Sequence, residues 1–598
     1  GAEVEADGCG ECSPRTRVHA GEAEDAFTRG NAAAHSGEFV HADVHKFSEL
    51  EERVLRQFFT STTKRVFFMH MLPANVGASL LAMYSRMKNP RGIRGTFVDR
   101  FLPSLLLSVN GFADPAEVLA EYKITSLQEF ASHFPHGLGY LDHFFENFNI
   151  TPHYLSIFAD SVTTRKFLST WLDAYGHNSI ARGGSVWLCF ENVSILAAKS
   201  IEWGRPGAAY IELSTRYVDM NGKGVYPVEN ELSLYSREAA ESARALTEQS
   251  FEAYRGWQGE NFSGPFPQFL RKQYGALYAG AEKDLNAGVI GETCDVLGNF
   301  LPASTLTSVG CSVSGEALPE LVKHLLLDAT PENEALAELV RTEAEKCGAS
   351  QFLRHADPTP WKEFAWEYLN VDAFRGVKQG GVVFMFPSRG EIEEILSRAL
   401  RHRYSFSDVE DVFGRLKHFQ NAEQSVGRGE FDKLPNEFEH TGGFVRSVMS
   451  FRGWRDVHRM GMSTHARTRL TPYIGFYRYD KPVPPNFRSA EQVLHSRNFQ
   501  AYQALRGAEV PTSLRQYPLA LGNLVGFTMG SNLAQWEFCL WQRTDYSVNH
   551  EVRQFFLAVD KALAAHLPWW SALARADRTP AYVFARGKKA IPLSEAVK

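Results

Sequence analysis

The chain has no apolar run approaching the ~20 residues that a membrane-crossing helix requires. Its best stretch, Val193 to Trp203, is interrupted by Ser194, Lys199, Ser200 and Glu202. Cysteine is scarce, with seven in 598 residues. Five of the seven (Cys189, Cys294, Cys311, Cys347 and Cys539) stand in apolar-patterned segments, as buried small hydrophobes do. That argues against a disulfide framework and for a soluble protein of a reducing compartment. Positive charge is not in excess either, since the formal net charge is -6. A protein whose main task is to grip nucleic-acid backbone carries the opposite balance. The first residue is Gly1, not methionine, which fits a processed or trimmed form, cytoplasmic or of an organellar matrix.

Aromatic residues are plentiful at 13%, which predicts well-filled cores or stacking pockets. The length exceeds one ordinary core, so two domains of about 250 residues are expected. Residues 1–45 read as a flexible N-terminal extension rich in Ala, Gly and Glu. It holds one Cys9-Gly10-Glu11-Cys12 pair and the histidines His19, His35, His41 and His45. A second pair at regular spacing is absent, so no metal site is expected. The first half then runs over 46–348 and the second over 349–598.

Each half shows the same order of signals. In the first, Ser185 to Glu191 reads as a buried strand. Val193 to Trp203 then has a helical stripe at 193, 196, 197 and 201, and Gly204-Arg205-Pro206-Gly207 stops it. Phe300-Leu301-Pro302 follows, and then a long helix from Ala317 toward Lys346. In the second, a strand at Gly443 to Met449 leads to a helix at Trp454 to Met462. After it come the apolar Tyr517 to Gly522 and a helix carrying Asn532 and Arg543. This order predicts a diverged internal duplication.

The chemistry concentrates in Tyr210-Ile211-Glu212-Leu213-Ser214-Thr215-Arg216-Tyr217, placed on a loop just after a helix end. Arginine offers a planar fork to a phosphate or a base carbonyl, and serine can donate or accept, so the loop suits a phosphorylated, hydrogen-bonding ligand. With Tyr175-Gly176-His177-Asn178-Ser179 and Glu191-Asn192-Val193, this loop resembles the flavin-dependent thymidylate synthase family, most closely its long, internally duplicated branch. Leu72-Pro73 to Arg86, Trp454 to Met460, and Asn532 through Arg543 to Glu551 and Arg553 are also similar to that branch.

The resemblance implies an α+β fold in two diverged copies, with helices packed on small, mainly antiparallel sheets. It implies reductive methylation of dUMP or a related uracil nucleotide, with methylene-tetrahydrofolate as carbon donor and NADPH reducing FAD. By the same resemblance Glu212, Ser214, Arg216 and Arg543 contact the nucleotide, with Ser214 the catalytic candidate, and His177, Arg205 and Asn532 face the cofactor. Family sites lie between subunits, so a homodimer of duplicated chains, or a place in a larger assembly, is expected. Plainer readings stand beside these. Ser214 and Arg216 could cap the next strand and pair with a carboxylate. Arg543 could be an exposed helix arginine, His177 a helix cap, and Asn532 an N-cap. His458 and Arg459 read as a solvated or salt-bridged helix face.

Two departures matter. The family's Arg-His-Arg triplet reads Gly204-Arg205-Pro206 in the first half and Arg459-Met460-Gly461 in the second. The first arginine of its Asn-x-Arg helix motif is replaced by Ala534, and by Glu316 in the first half. Removing one charge-assisted hydrogen bond costs about 1.5–3 kcal/mol, and several are missing. The sequence therefore supports two readings: a divergent enzyme, or a pseudoenzyme that keeps the fold as a structural subunit. A third is a related methyltransferase or reductase acting on a modified nucleotide.

Overall fold

The computed structural model describes residues 36–86, 89–139, 141–142, 162–174, 176, 178–203, 207–214, 219–220, 222–365, 368–403, 429, 432–587 and 589–596. Its elements, in chain order, begin with β1 (Val66–Met69), α1 (Ala74–Met83), β2 (Ser185–Ser194), α2 (Ile195–Ile201) and β3 (Ala208–Glu212). Next come α3 (Arg237–Gln258), β4 (Leu306–Ser314), α4 (Ala317–Asp328) and α5 (Pro331–Glu345). The second sheet and its helices follow as β5 (Val382–Met385), α6 (Arg389–Arg403), β6 (Gly442–Ser450), α7 (Phe451–His458) and β7 (Thr464–Arg467). The last are α8 (Phe487–Gly507), β8 (Leu524–Asn532), α9 (Leu533–Thr544) and α10 (His550–His566). No helix among the described residues is long and apolar enough to cross a membrane.

The strands form two antiparallel four-stranded sheets, ordered β1-β2-β4-β3 and β5-β6-β8-β7, which is the same topology twice. Alternation decides which face is buried. Phe68, Leu188, Phe190, Val309 and Cys311 point one way and pack on α2, α4 and α5. Their counterparts Phe384, Val445, Phe527 and Met529 face α7, α9 and α10.

A two-fold relation between the halves is written into the hydrogen bonds. Ala303 N–H donates to Leu519 O (2.8 Å) and Leu521 N–H to Leu301 O (2.8 Å). Ser304 N–H donates to Tyr517 O (2.8 Å) and Gly522 N–H to Asn299 O (2.7 Å). Each bond has its image in the other half, about an axis at the Pro302–Ala520 bridge. The helix starts repeat as well. Ser194 Oγ caps Ala197 N–H while its own N–H and hydroxyl donate to Glu332. Ser450 caps Gly453 N–H and donates to Glu551 in the same way. Burial raises the Glu332 carboxyl to about 6, although Ser194 and Tyr517 donate to it. Tyr517 reaches it from the other half.

The structure changes several expectations. Of the N-terminal extension, residues 1–35 lie outside the described residues. The rest is packed: Val40 is buried, Phe39 lies under the Arg65 guanidinium at 3.8 Å, and His45 Nε2 stands 2.7 Å from Glu191 Oε2. His41 faces Glu338 instead, at 3.9 Å, so the two histidines serve different carboxylates. The long helix from Ala317 is two helices. Ala329 takes a left-handed conformation (φ 48°), Thr330 caps Asn333 N–H, and Pro331 starts α5. Helix α7 ends at His458, short of Met462. The Ser214 loop does not follow the helix end directly, because β3 lies between them.

Candidate functional site

Helix α2 is buried along its whole length, so its one lysine must find partners inside the protein. Lys199 Nζ donates to Glu212 Oε2 (2.9 Å) and to Glu202. On the other oxygen, Glu212 accepts from Arg455 Nη2 of α7. Lys199 and Arg455 occupy the same place in their halves, each on the helix that its own serine caps. The internal symmetry thus brings two equivalent cations onto one carboxylate at the seam. The second half has no matching acid. The residue paired with Phe527 as Glu212 is with Val309 is Arg467, whose guanidinium lies about 5 Å from the rings of Tyr368, Phe451 and Trp454.

The electrostatics follow from this crowding. Burial alone would raise the Glu212 carboxyl, but Arg455 and Lys199 outweigh it and hold the pKa below the usual value. Burial raises Glu202, and the nearby Glu212 adds to the rise against the pull of Lys199. Arg459 is held protonated against burial by Asp456, Glu202 and Glu212. His458, read from sequence as a solvated or salt-bridged face, is fully buried and stacks on Trp454 at 4.4 Å. Burial, then His465 and Lys199, push its pKa well below 6.5, so it is neutral.

Glu212 (4% exposed) closes β3, and Leu213 N–H ties the chain to Ser308 O at 2.8 Å, which delivers Ser214 half-buried at the seam. Arg216, with Arg205 and His177, lies outside the described residues. Asn532 is the N-cap of α9, accepting from Gln535 N–H at 2.8 Å. Arg543 is half-buried on the last turn of α9, one turn past Cys539, whose Sγ is 3.5 Å from Met460 Sδ just beyond α7. So Glu212 and Ser214 sit together, while Arg543 stands on a helix that abuts the end of α7.

Sequence reasoning missed Lys199, Glu202 and Arg455. A usable signal existed, because a lone lysine inside an apolar helical stripe requires a buried counter-charge.

A flavin diphosphate needs cations to face it. Among the described residues at the seam, Lys199 and Arg455 serve Glu212, Arg459 serves Asp456, and Arg452 serves Asp295. Arg182 is likewise paired, with Glu316, at the position where the family arginine is missing. Cations for a flavin diphosphate would therefore have to come from residues other than these.

Comparison with known proteins finds the following similarities. The family model described as thymidylate synthase complementing protein (Thy1) matches residues 150–347. A UPF0159 protein of Chlamydia pneumoniae is 26% identical over 480 residues, covering 74% of this chain and 80% of the relative. One of Thermoplasma acidophilum is 25% identical over 347 residues, covering 52% and 67%. Among solved structures, a UMP/dUMP methylase PolB from Streptomyces cacaoi bound with 5-Br dUMP matches at 15% identity. It covers 33% of this chain and 95% of its own, and its TM-score of 0.25 carries no argument about activity. One segment of the chain, residues 150–347, thus matches the thymidylate synthase complementing protein family, inside a fold whose sheet and helix caps occur twice.

Proposed function

We propose that this thymidylate synthase-like protein holds a uracil nucleotide at the junction of its halves and methylates it reductively. Ser214 and Arg216 would stand on one side of the nucleotide and Arg543 on the other. The observation that supports this is the anchoring of the loop. Glu212 is clamped by Lys199 of one half and Arg455 of the other, so the chain from Ser214 onward starts at the seam. Two arginine forks from opposite sides would suit a phosphate and a pyrimidine carbonyl, and the Ser214 hydroxyl would hydrogen-bond the ring. Methylene-tetrahydrofolate would give the carbon, and FAD, reduced by NADPH, would supply the hydride when bound. His177, Arg205 and Asn532 would face that flavin.

One observation favours a second reading, a pseudoenzyme that serves as a structural subunit. Both oxygens of Glu212 are taken by the protein's own cations, so a residue expected to meet substrate acts as a joint between halves. The visible spectrum of the purified chain, with and without added FAD, separates the two. Near-stoichiometric flavin bands, together with tritium release from labelled dUMP that falls at least tenfold in Ser214→Ala, are the expected result. A colourless chain that binds no added FAD and releases no tritium would leave the structural reading.

A further inference from the structure

The two sheets are alike on their inner faces and unlike on their outer ones. In the first sheet, Phe67 pairs with Cys189 and Met69 with Trp187 across β1 and β2, and Ile211 and Gly310 continue the same face. Helix α1 and the residues after it cover this face. A Cβ on Gly77 would meet the Trp187 ring at 2.4 Å, and one on Gly310 would meet Tyr84 at 2.6 Å and Leu81 at 2.7 Å. Phe67, Met69 and Cys189 are buried as a result.

The same register positions of the second sheet are held by Val383 opposite Arg446 and Met385 opposite Phe444. Three of these four are apolar, yet Val383 is 42%, Met385 45% and Phe444 41% exposed. Among the described residues only the upper end of the face is covered, where Phe374 packs on Val448 and Leu524. The helix that follows β5 turns elsewhere. Ile392, Leu396 and Leu400 of α6 join the inner core, and Glu393 accepts from Trp569 Nε1 at 3.0 Å.

Charge selects the occupant. Arg446 is the cation of this face, its guanidinium 5.3 Å over the Phe374 ring and its Nε buried without an acceptor. Its Nη2 donates to Ala373 O at 3.4 Å, a backbone carbonyl and not a carboxylate. A second copy docking through the same face would bring two Arg446 cations into one apolar patch with no carboxylate among its described residues, which is unfavourable. We infer that the outer face of the second sheet is a docking surface for a different protein that contributes one amphipathic helix. That helix places a small residue on Phe444, as Gly77 sits on Trp187, and a carboxylate on Arg446. In the first half Tyr84 stands over Gly310, the strand partner of Cys189, whose position is equivalent to Arg446, and its hydroxyl donates to Glu191. The internal cover therefore supplies the pattern for a probe.

The test uses the full chain and fluorescein-labelled peptides copying residues 72–85, one with Tyr84→Glu and one with Tyr84→Lys. The expected result is saturable binding of the Tyr84→Glu peptide, read by anisotropy. It weakens at least tenfold in Phe444→Asp and in Met385→Asp. In Arg446→Glu the preference reverses toward the Tyr84→Lys peptide. Phe444 and Met385 are exposed, so their two variants should melt as wild type does, which separates impaired docking from impaired folding. Binding by neither peptide, or binding that the substitutions leave unchanged, would overturn the inference. So would self-association of the wild type that Phe444→Asp abolishes, because a second copy would then be the occupant.

Discussion

Replacing Arg455 by leucine is expected to cost about 3–5 kcal/mol of stability, because it strips one cation from a carboxylate buried between the halves. Glu212 would keep only Lys199, which already serves Glu202. Glu202, whose charged form burial already disfavours, would then compete for a single ammonium. Removing both partners of the cross-seam pair should hurt less than the two single substitutions added together, since no orphaned charge remains. The measurement is a urea series on Arg455→Leu, Glu212→Leu and the double variant, followed by tryptophan fluorescence. Trp454 and Trp203 flank His458 next to the network and report on the seam. A coupling above about 1 kcal/mol is expected for groups in direct contact. Strictly additive effects would mean that the two side chains do not depend on each other.

The second large effect is at Glu191, where the N-terminal residues meet the first sheet. Its carboxylate accepts from Tyr84 OH (3.0 Å), Ile93 N–H (2.8 Å) and Arg94 Nη2 (3.1 Å), with His45 Nε2 at 2.7 Å. Burial would raise its pKa, but Arg94, His45 and the Ile93 N–H overcome this and hold it at about 2. The gap from the ordinary 4.5 corresponds to roughly 3 kcal/mol of stability. Because the folded value is depressed, that stability is fully present above about pH 4.5 and drains away as the pH falls toward 2. Glu191→Gln should thus be about 3 kcal/mol less stable at pH 7, and the deficit should shrink as the pH is lowered from 5 to 2.5. Paired thermal melts across that range check it. A deficit independent of pH would assign the effect to packing in place of charge.

Much of this architecture is legible in the residues alone. The strand at 185–191, the helix after it and their second-half images have strong periodicity, and Leu301-Pro302 and Tyr517 to Gly522 form the axis itself. Glu212 and Ser214 stand out because a motif with a carboxylate, a hydroxyl and a guanidinium is conspicuous locally. Lys199 and Arg455 are harder to find. Each belongs to a helix whose partners are far off in the chain or in the other half, and only the two-fold pairing of the halves shows that both reach Glu212. Strand β3 gives little signal because it is short and lies at a sheet edge, where alternation is weak. The packing of 36–45 also depends on a distant partner, since Ser36 and Phe39 meet Tyr226 and His45 meets Glu191.

The central claim is that the seam grips one uracil nucleotide from both halves. Equilibrium titration of dUMP into the full-length chain, and into its Ser214→Ala and Arg543→Ala variants, tests it most directly, because binding needs neither flavin nor turnover. Saturable binding is expected that Arg543→Ala weakens roughly 10- to 150-fold, as removal of a charge-assisted hydrogen bond would give, and Ser214→Ala roughly 2- to 10-fold, as loss of a neutral one would. A chain that ignores dUMP, or binds it equally well without Arg543, would contradict the account.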